Sequence, residues 1–296
     1  MAEATLCAME FVQLADGRKL EYLIEGPADG VPLVFHHGTP GAAVRFAPLA
    51  ESAVRHGLRL VSPGRAGYGA STPNPGRSIA DVAADTAALL DAIGADRFYS
   101  IGMSGGGPHS LACAALLPGR CIAAASVAGV GPANADGLDF MVGMGEENLA
   151  EFGAAFEGRD ALEPLLEAAS SGLAAAAPAD LAAAFGDLVS EVDKAAMTGP
   201  ILDWLAASCR RSVAESIAGW RDDDLAFVKD WGFPLDRITT PVAIWQGDQD
   251  RMVPADHGHW LAAHVSGCTF HFLPGEGHLS LLNSIDQVVA DLGSVR

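Results

Sequence analysis

Positive charge is what this chain has least of: 18 Lys and Arg stand against 37 Asp and Glu in 296 residues, a formal net charge of −19. No basic cluster offsets that deficit locally, which argues against binding to phosphate backbones or anionic lipid. Cysteine is scarce as well. The five present (Cys7, Cys113, Cys121, Cys209, Cys268) are scattered, odd in number and without metal-ligand spacing. They read as free thiols in a reducing compartment, not as a disulfide framework or a metal site. No uninterrupted apolar run is long enough to span a bilayer. The opening Met1–Cys7 has neither a basic n-region nor an apolar h-region, so a cytoplasmic protein is expected. Neither a Gly-x-Gly-x-x-Gly fingerprint nor a Gly-Lys-Ser/Thr phosphate loop accompanies the strands, so nucleotide binding is not expected, and no cofactor or metal is called for.

What the chain does have is apolar mass: 50% of its residues are hydrophobic, enough for a large core. Strand-like and helix-like segments alternate in two blocks. The first holds strands at 10–14, 19–24, 31–35, 58–61, 97–101 and 122–130, with helices at 42–56, 78–93 and 108–117. Ser78 and Asp81 form a capping-box pattern at the second of these helices. The second block holds strands at 242–245 and 269–273, with helices at 255–264 and 279–292. Short apolar strands alternating with helices predict an α/β fold with a mostly parallel sheet. Between the blocks lies an Ala-rich, largely helical stretch with twenty Asp and Glu against six Lys and Arg. The expected organisation is a core domain over 1–131 and 237–296, interrupted by a helical cap at 132–236. No internal repeat is present.

The most specific chemical signal is Gly102-Met103-Ser104-Gly105-Gly106, a Gly-x-Ser-x-Gly frame directly after a strand and directly before a helix. A serine hydroxyl is a weak nucleophile unless it is exposed, near a base, and faced by amide donors. A sharp strand-to-helix turn provides the exposure, and the glycines remove side chains that would collide across it. The orienting acid and then the base should follow the serine along the chain, each at the tip of a later strand. Two loops qualify: Gln246-Gly247-Asp248-Gln249-Asp250 after one strand and Pro274-Gly275-Glu276-Gly277-His278 after the next.

With these motifs in place, the chain resembles the α/β-hydrolase superfamily over most of its length. The resemblance implies an eight-stranded, mostly parallel sheet flanked by helices, with Ser104 as nucleophile, Asp250 as acid and His278 as base. Asp250 fits the Gly-x-x-Asp-x-x-x-Pro frame through Gly247 and Pro254; Asp248 stays open as the acid, as do Asp136 and Asp139 after the preceding strand. His36-His37-Gly38-Thr39-Pro40-Gly41 resembles the family's His-Gly-x-Pro-Gly loop, which implies that the Thr39 and Gly105 amides form the oxyanion hole, with His37 a structural hydrogen-bonding residue. Gly64-Arg65-Ala66-Gly67-Tyr68-Gly69-Ala70-Ser71 is similar to the Asp-Arg-Pro-Gly-Tyr-Gly-x-Ser turn, but Gly64 and Ala66 replace the usual Asp and Pro. Serine at 104 departs from haloalkane dehalogenases and typical epoxide hydrolases, which carry aspartate there. The loop also resembles that of proline iminopeptidases, whose acidic cap residues bind a free amino terminus, but Met103 stands where that group has tryptophan.

The activity expected is cofactor-independent hydrolysis of small to medium apolar carboxylic esters, by a monomer or homodimer acting on small molecules. Peptide cleavage at a free amino terminus, lactone or carbon–carbon cleavage, and a silent ligand-binding role are the alternatives. Met103 beside the nucleophile, with Phe140, Met144, Trp204 and Trp220 of the insertion, is expected to line the substrate pocket. His257-Gly258-His259 sits at i, i+2 on a helix, pointing to different faces, and reads as solvated surface. Glu146-Glu147 and Asp222-Asp223-Asp224 likewise read as exposed helix surface or helix-start charge.

Overall fold

The computed structural model describes residues 9–175, 177–178, 181 and 185–295. Eight strands form one sheet: β1 (Glu10–Gln13), β2 (Lys19–Glu25), β3 (Val31–His36), β4 (Leu58–Pro63), β5 (Phe98–Met103), β6 (Cys121–Val127), β7 (Val242–Gly247) and β8 (Thr269–Leu273). Their order is β1-β2-β4-β3-β5-β6-β7-β8, with β2 antiparallel to both neighbours and every later pair parallel. This is the α/β-hydrolase fold that the motifs predict.

Helices cover both faces, so the inner strands are apolar on both sides; β5, β6 and β7 are buried along their whole length. Helices α1 (Ala47–Arg55) and α10 (Ile285–Ser294) pack Leu49, Ala53, Val288 and Leu292 against Leu33, Phe35, Ile101 and Val127. On the opposite face, α2 (Val82–Ala92), α3 (Gly106–Leu116) and α9 (Ala255–His264) pack Leu89, Leu111 and Leu261 with Val34, Phe98 and Ile244.

Among the element boundaries that differ from expectation, two have local reasons. Helix α1 begins at Ala47, not near 42, because Pro48 lacks an amide proton and fits only in a first turn. Strand β6 stops at Val127, not 130, because Ala128 takes a left-handed φ of 48° and turns the chain out of the sheet.

Between β6 and β7 the chain leaves the sheet and forms α4 (Glu146–Glu157), α5 (Arg159–Ala175), α6 (Glu191–Ala196), α7 (Gly199–Ser212) and α8 (Ala218–Phe227). Helices α4 and α5 pack on each other, and α5 also meets α7 and α8. Trp204 of α7 packs on Phe46 with ring centroids 4.6 Å apart, tying the insertion to the segment before α1. Glu146 and Glu147 are exposed at the start of α4, where acidic charge suits the helix dipole. Cys113, Cys121, Cys209 and Cys268 are free thiols, and Cys7 lies outside the described residues. Among the described residues no helix is long and apolar enough to cross a membrane.

Candidate active site

Ser104 follows β5 directly and precedes α3, with a φ of 56°. That left-handed conformation is costly for a residue with a side chain and marks a backbone over-determined by its surroundings. Its amide donates to the Val127 carbonyl at 2.8 Å and its carbonyl accepts from Gly107 at 2.8 Å. The turn is so tight that a Cβ on Gly102 would run into the Gly106 carbonyl, and one on Gly106 into the His36 carbonyl.

At the tips of β7 and β8, Asp250 and His278 meet: Oδ2 lies 2.8 Å from Nδ1, and both side chains are buried. The other carboxylate oxygen, Oδ1, accepts the Met252 and Val253 amides at 2.9 and 2.8 Å, which fixes the carboxylate plane. A carboxylate only accepts, so this contact assigns the proton to His278 Nδ1 and leaves Nε2 with a lone pair. Burial pulls the basicity of His278 down, but the charge and hydrogen bond of Asp250, with a contribution from Asp193, outweigh it and raise the pKa above 6.5. The other candidate acids stand elsewhere. Asp248 is exposed and braces the Gly275 amide at 2.7 Å, and Asp136 and Asp139 are exposed.

The loop after β3 runs alongside the serine turn. A Cβ on Gly38 would lie 3.4 Å from that of Ser104, and one on Gly105 would lie 2.8 Å from that of Thr39. Thr39 and Gly105 therefore abut beside Ser104. His37 is buried, held by its own Nδ1 to the Gly38 carbonyl at 2.8 Å and by the Arg65 amide approaching Nε2 at 3.4 Å. Burial and the Arg65 charge hold its pKa well below 6.5, which keeps it neutral and structural.

Beneath this loop lies a buried ionic cluster. Asp223 of α8 is fully buried, contrary to the expectation of a solvated acidic run. Its Oδ2 accepts from Arg65, from Tyr68 Oη at 2.9 Å and from Thr39 Oγ1 at 2.7 Å, while Oδ1 accepts from Arg77 Nη1 at 2.6 Å. Arg65 also donates to the carbonyls of His37 and Gly38. Burial pushes the Asp223 carboxyl up, but the two guanidinium groups hold it well below the ordinary carboxylate range. Asp222 and Asp224 are buried as well. The Asp224 carboxyl lies against that of Glu151, which accepts from Trp220 Nε1 at 2.7 Å. Burial, then the neighbouring Glu151 charge, pushes Asp224 well above the carboxylate range, and burial raises Glu151.

One signal in the sequence pointed to this arrangement. Trp220, Asp223, Asp224 and Phe227 recur at i, i+3, i+4 and i+7, so two large apolar residues bracket the acids on a single helix face. Phe227 reaches the serine turn, its Cζ only 2.9 Å from where a Cβ on Gly105 would sit.

The replacement of Asp by Gly64 also has a physical account. Glu21 of β2 is buried, and its carboxylate fills the space beside Gly64, 2.9 Å from where a Cβ would stand. It accepts the Ala70 amide at 2.8 Å and pairs with Arg211 at 2.5 Å, so a strand residue supplies the negative charge inside the turn. His257, expected on a solvated surface, is buried. It accepts the Gly131 amide at 2.9 Å and donates to the Phe140 carbonyl at 2.9 Å, and burial lowers its pKa to about 4. His259 is exposed.

The five residues expected to line a pocket are all buried and fall into three packing clusters. Met103 and Trp204 share one, Phe140 and Met144 a second, and Trp220 joins Tyr68 in a third. Leu279, the chain neighbour of His278, belongs to the same cluster as Met103, the neighbour of Ser104.

A family model described as alpha/beta hydrolase fold matches residues 31–284, and the chain belongs to that family. Among curated relatives, a non-heme chloroperoxidase of Streptomyces lividans is 37% identical over 142 residues, 45% of this chain and 51% of that protein. The chain spans about half the length of that relative, and less of the next two. Among solved structures, an esterase from Exiguobacterium antarcticum superposes with a TM-score of 0.69 at 20% identity, covering 97% of this chain and 98% of that one. An enol-lactonase from Burkholderia xenovorans gives 0.69 at 16% identity, covering 96% and 100%. At those identities the likeness is one of fold.

Proposed function

We propose that the chain is a serine hydrolase that cleaves carboxylic esters of small to medium apolar substrates through an acyl-enzyme. The observation that carries this reading is the 2.8 Å contact between His278 Nδ1 and Asp250 Oδ2, on the same carboxyl edge of the sheet as the left-handed Ser104. Ser104 Oγ attacks the ester carbonyl while His278 Nε2 takes its proton, and Asp250 holds the imidazole in the required tautomer. The amides of Thr39 and Gly105 receive the developing oxyanion. The proton on Nε2 then passes to the departing alkoxide, and water enters by the reverse steps to release the acid. In this reading the helices between β6 and β7 act as a cap over the site, and the protein works without a cofactor as a cytoplasmic monomer or homodimer.

Hydrolysis at a free amino terminus has one observation in its favour: the buried Asp224 carboxyl, on the helix face that reaches the serine turn, with the Glu151 carboxyl of α4 against it. Two experiments test these readings. A fluorophosphonate probe should label the wild type and leave Ser104→Ala unlabelled; an unlabelled wild type overturns the acyl-enzyme mechanism. Short p-nitrophenyl esters assayed beside prolyl-naphthylamide separate esterase from aminopeptidase, and turnover of the amide alone overturns the ester reading.

A further inference from the structure

Asp193, on the short helix α6 of the insertion, is fully buried and spends its carboxylate on a loop 85 residues away. Its Oδ2 accepts the His278 amide at 3.0 Å, and its Oδ1 accepts the amides of Leu279 at 2.7 Å and Ser280 at 2.9 Å. These are successive amides entering the tight turn Ser280–Ser284, where a helical start leaves donors without internal partners. A carboxylate accepting three amides at once fixes the backbone from which the imidazole projects. Ser190 steadies the carboxylate in turn, donating to Oδ2 at 2.9 Å. The fit leaves no space: a Cβ on Gly277 would run into the Asp193 carboxyl group.

We propose that Asp193 is a positioning residue for the base, holding the His278 loop so that the imidazole stays between Asp250 and Ser104. The proposal rests on the serine-hydrolase reading above. It places part of the mounting of the histidine in the helical insertion and not in the sheet domain that carries the histidine itself.

A bare structural brace and a positioning group differ in what their loss does to His278. Two charged groups act on the imidazole: Asp250 from the loop after β7, in direct contact, and Asp193 from α6. Both favour the protonated ring, so removing the Asp193 charge lowers the pH at which His278 gains its proton. Glu191 and Lys194 on the same helix pair with each other at the surface and provide a neutral comparison.

The experiment compares wild type, Asp193→Asn, Ser190→Ala and Glu191→Gln, with folding of each checked by thermal unfolding. Fluorophosphonate labelling of the wild type is measured first, so that failure of the hydrolase reading is seen separately. Asp193→Asn is expected to lower kcat/KM for a p-nitrophenyl ester about 100-fold, the scale of a misplacement of about 1 Å. Its acid limb should move to lower pH, and the His278 imidazole resonance should titrate at lower pH by NMR. Ser190→Ala keeps the charge and should lower kcat/KM less, without moving the limb, while Glu191→Gln should match the wild type. A folded Asp193→Asn with unchanged kcat/KM and unchanged His278 titration overturns the proposal. If Asp193→Asn fails to fold, a Ser190→Ala enzyme with wild-type kcat/KM overturns it. If the wild type is not labelled, the NMR titration still decides whether Asp193 acts on the imidazole, and an unshifted resonance overturns that link.

Discussion

Asp223 Oδ2 and Thr39 Oγ1 lie 2.7 Å apart, so a helix inserted after β6 hydrogen-bonds the residue whose amide we propose for the oxyanion hole. The same carboxylate is bound by Arg65 and Arg77, and Arg65 also holds the carbonyls of His37 and Gly38. Substituting Asp223 by Asn strands two buried guanidinium groups with only partial compensation. Breaking a buried ion pair from one side costs about 3–5 kcal/mol. Urea unfolding should show a loss of that size for Asp223→Asn. Thr39→Val, which removes the hydroxyl's bonds to Asp223 and from Arg65 and keeps the backbone amide, should lose about 1–3 kcal/mol.

Activity should fall on acidification. The pKa of His278 is raised above 6.5, so the ring gains its proton, and ceases to be a base, at a pH higher than an ordinary imidazole would. The acid limb of kcat/KM for ester hydrolysis is expected above pH 6.5. An Asp250→Asn enzyme should lose most of its activity, and any residual limb should lie at lower pH, because the largest influence favouring the protonated ring is gone. A pH–rate profile for both enzymes checks this.

The Asp224 and Glu151 carboxyls should make the fold less stable in alkali. Their pKa values are raised in the folded protein, chiefly by burial, so the unfolded chain releases these protons at lower pH than the native one. Stability is therefore greatest below the unfolded carboxylate value and falls as pH rises from there through the folded values. Asp224→Asn removes that penalty and should stabilise the protein more at pH 8 than at pH 5, read as the difference in urea midpoint between the two.

Restoring the familiar aspartate at position 64 should harm this chain. Gly64→Asp drives a carboxylate into Glu21, which is buried and already paired with Arg211. The single substitution should be strongly destabilising. Gly64→Asp combined with Glu21→Ala should recover part of the loss, because one carboxylate then replaces another. A double-mutant cycle by chemical denaturation measures the coupling, and strictly additive effects would contradict the steric account.

The strand and helix order, the serine turn and the Asp250–His278 loops could be read from the chain because each depends on residues a few positions apart. Apolar strands, a Gly-x-Ser-x-Gly frame and a Gly-x-x-Asp-x-x-x-Pro frame are local patterns. The fate of Asp222-Asp223-Asp224 was not local. Three consecutive acids look the same whether they face water or Arg65 and Arg77, and those arginines lie about 150 residues earlier in the chain. Asp193 was hidden differently. Ser190 caps the amide of Asp193 as any helix start would, and nothing nearby reveals that the carboxylate itself reaches His278, Leu279 and Ser280. His257 likewise depends on Gly131 and Phe140, which sit more than 115 positions away.

Asp223 and Asp193 both come from the stretch between β6 and β7, and each ends on a different loop of the sheet domain. A chimaera that grafts a foreign helical segment onto this scaffold would have to carry both acids in register, or it would lose the anchors of the Thr39 loop and of the His278 loop together. A library that randomises the helices between β6 and β7 should therefore keep those two positions fixed.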